Sequence, residues 1–100
     1  MEKFQPAGLH LLDEPEAALS VVGQLKLIRR IHDLVPTNAQ FVIATHSPIL
    51  LAIPEARIYE FSSDGIREVA YDEAEPVQLT RAFLDAPERF LRHLFNDDPD

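Results

Sequence analysis

Apolar side chains along this chain recur with two different periods, and the changes of period outline its elements. Gly8-Leu9-His10-Leu11-Leu12 is nearly continuous in apolar residues and ends in Asp13 and Glu14. A short run of this kind predicts a strand covered on both faces, as in a parallel sheet. Pro15 ends it, because proline has no N–H to give the ladder. The proline ring also predicts an extended backbone at Glu14, the residue before it. From Ser20 the period lengthens. Val21, Leu25, Ile28, His32 and Val35 recur every three or four residues, and Val22, Leu27 and Ile31 widen the stripe. Gln24, Lys26, Arg29, Arg30 and Asp33 fall mainly between them. The spacing predicts an amphipathic helix over 20–35, with Ser20 as its N-cap and Pro36 with Asn38 at its exit. Gly23 lies in the first turn and weakens it by roughly 1 kcal/mol relative to alanine.

Phe41-Val42-Ile43-Ala44-Thr45 is a second β-rich run, followed by His46 and Ser47. Strand, helix and strand in this order predict a right-handed βαβ unit with parallel strands. Both polar clusters then emerge at the carboxyl edge of one sheet, where open α/β folds bind ligands. Residues 48–53 predict a short helix with Pro48 in its first turn. Residues 57–61 and 66–71 alternate around Ser62-Ser63-Asp64-Gly65, which predicts an antiparallel hairpin. Helices are predicted over 75–84 and 87–95, the second anchored by Phe90, Leu91, Leu94 and Phe95. Residues 96–100 read as a frayed, disordered tail. The predicted fold class is α/β, with residues 1–95 forming one part of a domain.

Composition narrows the function classes. Across 100 residues the chain is 46% hydrophobic and 26% charged. It has no cysteine, which removes disulfides and thiolate metal sites. No apolar run approaches the ~18 residues of a membrane span, and Met1-Glu2-Lys3-Phe4-Gln5-Pro6 has no apolar signal core. A cytoplasmic location is the expectation. The net charge of −8 is uneven: residues 51–100 carry five Lys/Arg against twelve Asp/Glu, residues 1–50 four against five. Such a surface repels phosphate backbones, so no direct nucleic-acid contact is expected from this segment.

Asp13 and Glu14 at a strand end carry the candidate chemistry. A carboxylate there can hold Mg²⁺ through water, since a hard ion takes oxygen ligands and keeps part of its hydration shell. A second carboxylate beside it can orient and polarise a water attacking a phosphoryl group. Two acids after a strand are common, and this pair gains meaning from its neighbours in the chain.

Leu12-Asp13-Glu14-Pro15-Glu16-Ala17-Ala18-Leu19-Ser20 resembles the Walker B motif and D-loop of ABC-type ATPases. Ala44-Thr45-His46-Ser47-Pro48 resembles their switch-histidine loop, one helix and one strand later. The wording is most similar to the AAA-family ATPase branch near the SMC, RecF and OLD proteins. The resemblance implies a partial P-loop NTPase fold, with Asp13 on Mg²⁺, Glu14 as catalytic base and His46 at the γ-phosphate of ATP. It also implies that Ala18, Leu19 and Ser20 form a D-loop facing a second subunit across a nucleotide-sandwich homodimer. Ser20 departs from the aspartate of transporter-type D-loops, and Val21 replaces a proline frequent in relatives. His10, His32 and His93 are read as structural or surface residues.

A P-loop needs a glycine-rich turn followed by Lys and Ser/Thr. The glycines are Gly8, Gly23 and Gly65 and the lysines Lys3 and Lys26, and no arrangement of these makes one. The chain therefore reads as the C-terminal half of an ATPase head, inactive alone and requiring a missing N-terminal half or a full-length copy. With sheet edges and a helix face left open, it is expected to be marginally stable, aggregation-prone or dimeric. The alternative is a non-catalytic interaction or dimerisation module that keeps the ATPase sheet edge. A metal-dependent nuclease using Asp13, Glu14, Glu16 and His46 is a third reading, opposed by the acidic charge.

Overall fold

A computed structural model describes residues 8–96. The chain divides after Arg57 into two units.

In the first unit the apolar runs form strands β1 (Leu9–Asp13) and β2 (Gln40–Ala44), joined by helix α1 (Val21–Leu34). The strands are parallel, with Leu9 opposite Gln40 and Asp13 opposite Ala44. A single 3-10 turn (Pro15–Ala18) precedes α1, and others follow it at Val35–Thr37 and Leu50–Ala52. Ser20 caps α1 as its sequence position predicts, its side chain accepting the Gly23 N–H at 3.0 Å. A Cβ at Gly23 would lie 3.3 Å from Leu19 Cδ2, so glycine lets the segment before the helix pack closely on its first turn. Asn38 takes the left-handed conformation at the exit, which asparagine tolerates better than most residues.

The core of this unit is Leu27, Ile31 and Leu50, with Leu12, Leu19, Ile28, Leu34, Phe41, Ile43 and Ile53 packed against it. Three expectations change here. The strands are covered on one face only: Leu12, Phe41 and Ile43 meet the helix side, while Leu9, Leu11 and Val42 are exposed, Leu11 by 72%. The physical reason is that residues 8–57 hold one helix to cover the sheet. The stripe of α1 that packs is Gln24, Leu27, Ile28, Ile31 and Leu34, whereas Val21, Leu25, His32 and Val35 lie exposed. Two apolar stripes overlap on this helix, and the face with Leu27 and Ile31 is the one the strands meet. Residues 48–53 form only the 3-10 turn Leu50–Ala52 rather than a helix: Ser47 caps its start, but Ile53, the residue before Pro54, is held at φ −55° and ψ 128°, outside the helical region.

The second unit begins with strands β3 (Ile58–Ser62) and β4 (Gly65–Val69), paired antiparallel as the alternation predicts. Ser62 pairs with Gly65, leaving Ser63 and Asp64 at the tip, and Gly65 has the positive φ of 122° that suits glycine. Helices α2 (Glu75–Asp85) and α3 (Pro87–Phe95) follow. Its buried residues are Ile58, Val69, Ala74 and Val77. Glu60 ties the unit together, meeting Arg67 across the hairpin at 3.5 Å and accepting the Glu75 N–H at the start of α2 at 2.6 Å. A carboxylate at a helix N-terminus also faces the positive end of the helix dipole. The anchoring expected of α3 is only partial: Phe90 meets Phe83 edge-to-face at 5.7 Å, while Leu94 and Phe95 are largely exposed. No described residue of this unit covers their face of the helix. The predicted tail beyond Asn96 lies outside the described residues. No helix among the described residues is long and apolar enough to cross a membrane.

Candidate functional site

Parallel pairing brings the ends of β1 and β2 level, so the residues that come after each strand leave the sheet at one edge. Asp13 is the last residue of β1 and sits opposite Ala44, with its side chain exposed. The ladder runs one step further, from the Glu14 N–H to the Ala44 carbonyl at 2.7 Å. There the chain turns.

Glu14 has φ 47° and ψ 55°, the left-handed region and not the extended backbone predicted from Pro15. The residue before proline is pushed away from right-handed helix. The left-handed well is the alternative that lets the Glu14 N–H stay in the ladder while its carbonyl accepts the Ala17 N–H at 3.1 Å. For a side chain with a Cβ this costs about 1–2 kcal/mol, and such strain concentrates at functional sites. The turn leaves the Glu14 carboxylate exposed at the edge, where its Oε2 lies 3.9 Å from Nδ1 of His46. The two side chains are 56% and 82% exposed, so this is a juxtaposition in water and not a strong ion pair.

His46 is held from behind by two anchors. The first is Glu16, whose Oε1 accepts the Thr45 hydroxyl at 2.6 Å and whose Oε2 accepts the His46 backbone N–H at 3.1 Å. Thr45 Oγ1 in turn accepts the Ser47 N–H at 2.9 Å. The second anchor lies deeper. The buried Ser47 hydroxyl donates to Oε1 of Gln24, itself buried on α1, and accepts the N–H groups of Ile49 at 3.1 Å and Leu50 at 3.2 Å. The loop after β2 is thus fixed to the turn after β1 on one side and to α1 below.

Partial burial pushes the Glu16 carboxyl up. Hydrogen bonds from the Thr45 hydroxyl, its own backbone and the His46 N–H, with attraction to the His46 ring, outweigh that and hold it below its ordinary value. Glu16 is therefore a fixed carboxylate that does structural work, two residues from an exposed carboxylate that does none.

The other predicted residues separate. Ala18 ends the 3-10 turn exposed, Leu19 is extended and packs on the core of its own unit, and Ser20 spends its acceptor on the Gly23 N–H. His10 is half-buried and stacks on Phe41 with ring centroids 4.9 Å apart, and His32 and His93 are exposed. Among the described residues no three His, Asp or Glu side chains converge as a ready-made metal cage. Sequence reasoning missed Gln24 and the anchoring role of Glu16. Gln24 had a signal, a polar residue in register with Leu27 and Ile31, but the outer stripe masked it.

No protein-family model matches the chain, and no curated protein sequence matches it either.

Proposed function

We propose that the carboxyl edge of β1 and β2 is one half of an ATP-hydrolysing site, completed by a P-loop that this sequence does not contain. The observation that carries the reading is the meeting of Glu14 and His46 across neighbouring strand ends, 3.9 Å apart and exposed, above a loop fixed by Glu16 and Gln24. Exposed acid and imidazole on a rigid backing suit a substrate arriving from outside the unit. The likeness of residues 12–20 and 44–48 to Walker B, D-loop and switch-histidine segments supports the same assignment.

In this reading Asp13 is the carboxylate for Mg²⁺, which takes one or two carboxylates, water and substrate phosphate oxygens in place of an all-protein cage. Glu14 would accept a hydrogen bond from the attacking water and take its proton as the new oxygen–phosphorus bond forms and the bond from the γ-phosphorus to the ADP oxygen breaks, with ADP leaving in line. His46 donates to a γ-phosphate oxygen, opposing the charge that builds there. Ala18 to Ser20, on the stretch that leads from this turn into α1, would meet a second subunit. The uncovered outer face of the sheet, with Leu9, Leu11 and Val42, is where further ATPase structure would pack.

The test is complementation. The chain alone is expected to show no measurable heat with MgATP in isothermal titration, since one carboxylate edge cannot hold three phosphates. Joined to an ABC-type N-terminal half bearing a P-loop, it is expected to hydrolyse ATP. Tight MgATP binding by the chain alone, or a folded but inert completed head, would contradict the assignment.

A further inference from the structure

We infer that Glu16 is the positioning residue of this edge, holding the loop after β2 so that the His46 ring stays beside Glu14. Three observations carry it. Each carboxylate oxygen of Glu16 is matched to a different donor on the neighbouring loop, the Thr45 hydroxyl and the His46 N–H. Such charge-assisted bonds are about twice as strong as neutral ones. Glu16 is half-buried while Glu14 is exposed, so the two acids of this turn have different tasks. The Glu16 backbone also belongs to the turn that leads to α1, its carbonyl accepting the Leu19 N–H at 3.1 Å.

That placement has a mechanical consequence. The segment 18–20 and the loop carrying His46 are separate in sequence by a helix and a strand, yet Glu16 joins them through one side chain. A displacement of 18–20, by a second subunit or by anything else that presses on it, moves Glu16 and through it the His46 backbone. Glu16 therefore couples this segment to the imidazole. The clamp stands on geometry alone; only its effect on turnover rests on the ATPase reading.

The experiment uses the full 100-residue chain without nucleotide. Backbone amide exchange and chemical shifts are followed by ¹⁵N NMR in the unaltered chain, Glu16→Ala and Glu16→Gln. In Glu16→Ala the His46 amide is expected to exchange about tenfold faster, the loss of one charge-assisted hydrogen bond. The His46 ring shifts should move with it, while Leu27, Ile31 and Val69 keep their protection. Glu16→Gln retains one acceptor oxygen and is expected to recover part of the effect. Unchanged His46 exchange and ring shifts would overturn the proposal. So would a uniform loss of protection through α1, which would make Glu16 an ordinary structural residue. In the completed ATPase, Glu16→Ala should lower kcat with little change in KM, and have no further effect when His46 is already alanine. A His46 effect in the NMR experiment with a completed head that never turns over would remove the ATPase reading and leave the clamp standing.

Discussion

The two units place their carboxylates in opposite ways. In residues 58–96 they hold the unit to itself: Glu60 bridges Arg67 and the first N–H of α2, and Asp72 meets Arg81 at 3.4 Å. In residues 8–57 the acids after β1 divide the work. Glu16 is engaged on both oxygens, whereas Glu14 is turned outward by a strained backbone toward a still more exposed histidine. Pairing that closes on itself describes a scaffold. An exposed acid and imidazole that meet above a fixed loop are what the proposed site requires.

The comparison breaks most readily at the core. Leu50→Ala removes the most buried large side chain of the first unit and is expected to cost about 3 kcal/mol. Both tyrosines, Tyr59 and Tyr71, lie in the second unit, so tyrosine fluorescence should shift less in denaturant than NMR signals from α1. Coincident shifts would show that the units melt as one. Gln24→Ala leaves the buried Ser47 hydroxyl without its acceptor and is expected to destabilise by about 1–3 kcal/mol. The same substitution should loosen the His46 loop, seen as faster amide exchange at 45–50. A surface-like cost of a few tenths of a kcal/mol would deny Gln24 that role.

Acidity sharpens the contrast between the two glutamates. Because the folded pKa of Glu16 is lowered, its contribution is fully present above the ordinary unfolded carboxylate pKa. It is lost as pH falls through the lowered folded value. The stability gap between the unaltered chain and Glu16→Gln should therefore shrink on acidification, measured as denaturant midpoint against pH. A gap independent of pH would mean that the charge of Glu16 is irrelevant. The smallest effect belongs to the scaffold: Arg81→Ala breaks one exposed pair and should change stability by less than about 1 kcal/mol.

Much of this arrangement was legible in the sequence. Ser20 announced the start of α1, the alternation around 62–65 announced the hairpin, and strand–helix–strand order put Asp13, Glu14 and His46 at one edge. Parallel pairing needs only the order of elements and the apolar character of the runs, both of which a single sequence carries. What stayed hidden depends on third dimensions that periodicity does not encode. The outward face of β1 looks as apolar as the inward one, so Leu9 and Leu11 could not be told from Leu12. On α1 the rival stripes share Ile28, and the strands decided between them. Glu14 is the sharpest case: the proline rule excludes one helical well, but the bond from its N–H to Ala44 and the one from Ala17 to its carbonyl select the other. Glu16 stood in the motif and in the nuclease reading, but its anchoring role had no signal, because its donors lie about thirty residues away along the chain.

The central claim is that Glu14 activates water at the edge where it meets His46, and Glu14→Gln in the completed ATPase tests it most directly. The substitution keeps size and shape while removing the proton acceptor. The account predicts that steady-state ATP turnover falls by about a hundredfold or more, with nucleotide binding retained. Turnover at the unaltered rate would contradict it.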